Sequence, residues 1–157
     1  MDTSPGRVHV REYTEADRQG VLALAPRLQE GVAPWRDPDA VLRAVTGWVS
    51  GSLDALPADD RAVFVAEDES GLVGVVTVGT QAHFAGDIDA YVGELIVHPN
   101  ALRTGVGRAL MAAAEDWART RGLTRLTLET GAANDRARRF YASLGYVDEE
   151  VRLSKGL

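Results

Sequence analysis

Gly93-Glu94-Leu95-Ile96-Val97-His98-Pro99-Asn100-Ala101-Leu102-Arg103-Thr104-Gly105-Val106-Gly107-Arg108-Ala109-Leu110 is the stretch on which the fold turns. Glu94 to Val97 is short, apolar and partly β-branched, which suits a buried strand. Pro99 cannot donate to a ladder, so the strand ends before it. Gly105 and Gly107 let the backbone come close to a ligand, and the helix that begins beside them turns free N–H groups outward. Those groups and the positive end of the helix dipole make an anion site, suited to a phosphate. A P-loop is excluded, because Arg108-Ala109 follows Gly107 where Lys-Ser/Thr is needed. A dinucleotide fingerprint is excluded too, because Leu110 stands where a third small residue belongs. A glycine-rich turn leading into an ordinary helix is the plain alternative.

Working outward, Val106, Leu110, Ala113, Ala114 and Trp117 repeat with a helical period that Gly122 ends, and Leu123 to Glu129 reads as the next strand. Gly131 to Asn134 is a loop, and Asp135 to Leu144 a helix stopped by Gly145. Tyr146-Val147 and Val151-Arg152-Leu153 are expected as closing strands. Upstream, Ala62 to Ala66 and Leu72 to Val78 are strands joined by the turn Asp68-Glu69-Ser70-Gly71, and Thr80 to Asp89 is expected as a polar loop. Near the start, Val8 to Glu12 alternates as a half-buried strand does. Thr14 with Asp17 resembles a capping box before a helix carrying Val21, Leu22, Leu24, Ala25 and Leu28, ended by Gly31. Asp37-Pro38 opens a second helix, with Val41, Leu42, Val45 and Trp48-Val49 in period and Gly51-Ser52 as its expected stop. His9 is expected to be solvated and the helical tryptophans to pack in the core.

The resulting order, β-α-α-β-β-β-α-β-α-β, predicts an α/β chain with a mixed sheet of six or seven strands and about four flanking helices. Its 157 residues suit one domain, 1–157, with a loose end at 1–6. No apolar run is long enough to span a bilayer, and the start lacks a signal-peptide pattern, so a cytoplasmic protein with no membrane partner is expected. Cysteine is absent, which excludes disulfides and thiol catalysis. A formal charge of −6 disfavours nucleic acid and suits cationic partners. The three histidines, His9, His83 and His98, show no metal-ligand spacing, so no metal is expected.

The glycine stretch resembles motif A of the GNAT superfamily of acyl-CoA-dependent N-acetyltransferases, which runs from an apolar strand through His-Pro to Gln/Arg-x-x-Gly-x-Gly/Ala. Here those last positions are Leu102-Arg103-Thr104-Gly105-Val106-Gly107, followed by Arg108. Leu102 departs from the pattern, but a grip on pyrophosphate through backbone N–H groups does not need that side chain. A second family signature lies at Asn134, Ala137, Tyr141 and Leu144-Gly145-Tyr146. The resemblance implies acetyl-CoA as co-substrate, with Arg103, Thr104, Gly105, Val106, Gly107 and Arg108 at its phosphates. It also implies that Leu95, Ile96 and Val97 lie along pantetheine and that the central strand splays from the next to leave a slot. Asn134 would contact the CoA arm; as a helix N-cap it would look the same.

Acetyl transfer from a thioester needs a neutral amine, a polarised carbonyl and a protonated leaving thiol. Tyr141 resembles the family's general acid; packing alone would be its other role. Glu94 and Glu129 are the candidate bases, and strand alternation turns Glu94 away from the face bearing Leu95 and Val97. Asp87 and Asp89 are either solvated or attract a cationic substrate. The implied function is transfer of acetyl to a primary amine of a small molecule or peptide by direct attack in a ternary complex, by a monomer or homodimer. The alternative is a catalytically silent CoA-binding sensor of the same fold.

Overall fold

The computed structural model describes residues 6–157, so the expected loose end lies, apart from Gly6, outside the described residues. Five strands form one sheet in the order β1 (His9–Glu12), β2 (Arg61–Asp68), β3 (Gly71–Ala82), β4 (Ile88–Val97), β5 (Leu126–Leu128). The first four are antiparallel neighbours, and β4 pairs with β5 in parallel. The helices are α1 (Arg18–Leu24), α2 (Pro38–Asp54), α3 (Val106–Thr120) and α4 (Asp135–Ser143).

Both faces of the sheet are covered, as its β-branched strands require. On one face Val76, Val78, Ala90 and Val92 meet Leu110, Met111, Ala114 and Trp117 of α3. On the other, Val63, Val65, Val75 and Ile96 meet Val21 and Leu24 of α1 and Val49 and Leu53 of α2.

Several elements depart from the sequence reading. The first helix is split: Pro26 lies in a 3₁₀ turn, Ala25–Gln29, that follows α1, because proline has no N–H to continue the α-helical ladder. α2 does not stop at Gly51-Ser52; Val45, Val49 and Leu53 recur every four residues and are buried, and that stripe carries the helix on to Asp54. The polar stretch after Thr80 is no loop throughout: β3 and β4 extend as a hairpin to Gln81↔Asp89 and Ala82↔Ile88, which buries Asp89 in the sheet.

Among the described residues the sheet has five strands, not six or seven. Tyr146–Leu153 forms no strand, and Val147, Val151 and Leu153 stay exposed. The alternation there is real but is broken by Asp148-Glu149-Glu150, and Arg138 of α4 holds Asp148 at 3.4 Å beside the helix.

One irregularity places the site. Thr77 pairs with Glu94 while Val78 pairs with Val92, so Gly93 is the extra residue of a β-bulge. The bulge reverses the alternation of β4. Val92 faces α3, yet Glu94 and Ile96 face α1 and α2, and Leu95 and Val97 return to the α3 face.

Candidate active site

The turn into α3 is built from two left-handed residues, Arg103 (φ 63°) and Gly105 (φ 88°), the second of which precedes the helix. No side chain caps this end. The first bond of the helix runs from the Ala109 N–H to the Gly105 carbonyl, so the N–H groups of Val106, Gly107 and Arg108 point out of the helix without an intrahelical acceptor. Donors converging at the positive end of a 15-residue helix are what an anion requires. Gly107 also has a packing role: a Cβ there would meet the Phe140 ring of α4 at 3.1 Å. The Thr104 hydroxyl is turned inward, onto the Ala101 carbonyl.

β5 pairs with β4 only from Ala90 to Val92, and beyond Val92 the two strands separate. The His98 N–H bonds the Val73 carbonyl at 2.7 Å, which sets the phase of the β3–β4 ladder. In that phase Ile96 faces its partner Val75, and the N–H and C=O groups of Leu95 and Val97 lie on the edge that β5 has left. Ile96 is therefore placed differently from its neighbours: its backbone is engaged with β3 and its side chain belongs to the opposite core.

Glu94 is buried, with 6% of its surface exposed, at the bulge. Its carboxylate accepts from the hydroxyls of Thr77 and Ser52. Burial pushes its pKa above the ordinary glutamate value, and the two hydroxyl donors act in the other direction. Glu129 lies just past β5 and is exposed. It and Glu94 both bear on Tyr91, whose phenol is held up first by burial and then by these two charges.

Tyr141 is half-buried on α4, with its ring 5.2 Å from that of Phe140 and edge-on to that of Tyr146 at 5.9 Å. Burial raises its pKa to about 12, so the phenol keeps its proton through the neutral range. Its hydroxyl has no protein partner among the described residues, whereas the Tyr146 hydroxyl donates to Glu115 at 2.8 Å. Asn134 caps α4, its Oδ1 accepting the Ala137 N–H at 3.2 Å, and its Nδ2 donates to the Glu30 carbonyl at 3.3 Å. Arg136 adds an ion pair to Glu30, so the start of α4 is tied to the turn after α1.

These groups line one open cleft of about 3180 Å³, several times the volume of a drug-sized pocket and large enough for two ligands at once. Tyr141, Glu94, Glu129, Asn134, Leu95, Ile96, Val97, Arg103 and Gly105 to Arg108 all border it; Thr104 does not. Further residues join them: Trp35, Trp48 and Phe84, each at least 60% exposed, and Asp89, which the sequence offered as either solvated or drawing in a cationic substrate and which is buried; Ser52 and Tyr91, which the sequence did not offer as site residues, border it too. Trp48 thus faces the cleft, and only Trp117 among the helical tryptophans is buried. Among the described residues no group of three His, Asp or Glu is disposed to hold a metal, and no helix is long and apolar enough to cross a membrane.

Residues 26–146 match the model of the acetyltransferase (GNAT) family. The chain belongs to the GNAT family. Among relatives of this GNAT chain, a mycothiol acetyltransferase of Thermobispora bispora is 37% identical over 142 residues, which cover 88% of the chain but 40% of that relative. The chain therefore spans well under half the length of that protein. An aminoglycoside N(6')-acetyltransferase type 1 of Klebsiella aerogenes is 35% identical over 153 residues, covering 94% of the chain and 93% of the relative. In fold it is similar to an aminoglycoside N-acetyltransferase solved in complex with CoA, with a TM-score of 0.68, 19% identity and 99% of each chain covered. The family is one of acetyltransferases and implies acetyl-CoA as donor. The uncapped start of α3 and the open edge of β4 fit a ligand with a pyrophosphate at one end and an amide-bearing arm at the other.

Proposed function

We propose that this GNAT chain moves an acetyl group from acetyl-CoA to a primary amine of a small molecule, by direct attack with both substrates bound. One observation carries this reading. The free N–H groups of α3, the unpaired edge of β4, the Tyr141 phenol and the Glu94 carboxylate all open onto a single cleft.

Acetyl-CoA supplies a thioester carbonyl and a thiolate leaving group. The N–H groups of Val106, Gly107 and Arg108 bind the pyrophosphate, with Arg103 and Arg108 adding positive charge and Gly105 shaping the turn. The backbone of Leu95 and Val97 holds the arm in the gap between β4 and β5, as an added strand would be held. Glu94 takes the ammonium proton of the acceptor, and Tyr141 gives its phenol proton to the departing sulfur. Asn134 acts from behind, fixing the start of α4 and with it the place of Tyr141. Glu129, exposed at the mouth, helps draw a cationic acceptor inward.

Acidic Asp89, Glu94 and Glu129 and the exposed rings of Trp35, Trp48 and Phe84, which line the same cleft, suit an amine that is cationic and carries a ring. The aminoglycoside relative, matched over nearly its whole length, makes aminoglycosides the first acceptors to try. Release of CoA thiol is followed with a panel of aminoglycosides, amino sugars, polyamines and peptides. Thiol release in step with acetylated amine is expected for at least one. Tight CoA binding without release across the panel would instead make the chain a CoA-binding module.

A further inference from the structure

Two hydroxyls, with no cation, satisfy the buried carboxylate of Glu94, and their arrangement makes its two oxygens unequal. The Thr77 Oγ1 accepts the Glu94 backbone N–H at 2.9 Å. With that lone pair engaged, its own proton is free to go to the carboxylate, and the partner there is Oε2. Ser52 reaches across from α2, with Oγ 3.0 Å from Oε2 and 3.3 Å from Oε1. A hydroxyl has a single proton to give, and the shorter contact directs it to Oε2. Oε2 thereby takes the close contacts of both hydroxyls, while Oε1 keeps only the longer one to Ser52.

We propose that Ser52 and Thr77 are positioning residues that turn Oε1 of Glu94 to the cleft as the atom that receives the acceptor's proton. This rests on the reading of Glu94 as the base. The ammonium N–H bond breaks and an O–H bond forms at Oε1, directly or across one water. The neutral amine then attacks, and Glu94 returns the proton to solvent after the acetyl group has moved. Neither hydroxyl gains or loses a proton. Both stabilise the ionised carboxylate against its burial, so they set how acidic the solution must be before the base is lost.

The other groups around Glu94 are accounted for. On α2, Asp54 is paired with Arg18, and Trp48 lies one turn before Ser52. From the turn after α1, Arg27 is paired through Nη2 with Glu30 at 3.3 Å, while its buried Nε has no partner among the described residues. On β4 the neighbouring titratable group is Tyr91, and past β5 it is Glu129.

The test compares Ser52→Ala, Thr77→Val, Thr77→Ser and Glu94→Gln with the parent, using two readouts. One is the pH dependence of kcat/KM with acetyl-CoA and an accepted amine. The other is the titration of the Glu94 carboxyl carbon by NMR of glutamate-labelled protein, which needs no turnover. Losing one hydroxyl donor to a carboxylate is expected to move both the Glu94 titration and the acidic limb upward by about one pH unit, so rates below the limb fall about tenfold. Thr77→Ser, which keeps the hydroxyl, is expected to restore the parent profile, and Glu94→Gln to erase the limb. If the Glu94 titration moves while the limb stays, Glu94 is not the base. If Glu94→Gln erases the limb yet the hydroxyl variants leave both readouts in place, Glu94 is the base and the positioning role of Ser52 and Thr77 is overturned.

Discussion

At Tyr141 the phenol proton is held by burial and not by a partner, so it remains available to a leaving group that comes to it. Replacing Tyr141 by Phe keeps the ring packed against Phe140 and edge-on to Tyr146 and removes only the hydroxyl that carries the proton. The expected result is a fall in kcat of about 10²–10⁴ with little change in KM for acetyl-CoA, because the lost interaction belongs to the transition state. Steady-state kinetics on the two proteins decide it; a near-normal kcat would make Tyr141 a packing residue and water the proton donor. The family signature singled out Tyr141 and Asn134 together, seven positions apart. It could not show that both ends of the Asn134 amide are taken, by Ala137 and Glu30. Ser52 was illegible for a different reason. Next to Gly51 it has the composition of a helix stop, and only the long-range burial of Leu53 against the sheet turns it into a residue of the site.

Among the elements, β1 and the turn before α1 are joined by charge. Arg11 holds the Asp17 carboxylate with two hydrogen bonds, of 2.8 and 2.9 Å, and also reaches Glu67 on β2. The hydrogen bonds from Arg11 are the main reason that the Asp17 pKa falls from 3.8 to about 2. A depressed carboxylate contributes stability above its unfolded pKa and loses it as pH drops through the folded one, here between about 4 and 2. After allowance for solvent screening, Asp17→Asn is expected to cost about 1 kcal/mol at neutral pH. Urea midpoints measured against pH should show parent and variant converging near pH 2, and a constant gap down to that pH would refute the assignment. The capping pattern at Thr14 and Asp17 could be read from four residues, whereas the partner that matters, Arg11, lies on the preceding strand. The closing strands failed for the opposite reason: local alternation suggested pairing, and no edge in the structure pairs with them.

For the whole molecule, hairpins early and crossovers late were enough to give a mixed sheet with helices on both faces, because apolar period and turn chemistry act locally. The bulge at Gly93 and the parting of β4 from β5 were beyond that reach, since each depends on how one strand registers against another. The parting has a consequence in isotope exchange. Amides of β4 that bond to β3 are locked within a long antiparallel ladder, while those of Leu95 and Val97 face an edge that β5 covers no further than Val92. In deuterated water the Leu95 and Val97 amides are expected to exchange rapidly, as islands of lability inside a protected strand. At a CoA concentration about 100 times its Kd, only about one molecule in a hundred is unliganded at any moment, so those two rates should slow about 100-fold while Ile96 changes little. Residue-resolved exchange with and without CoA would then trace the path of the bound arm along the interior of the sheet, one deuteron at a time.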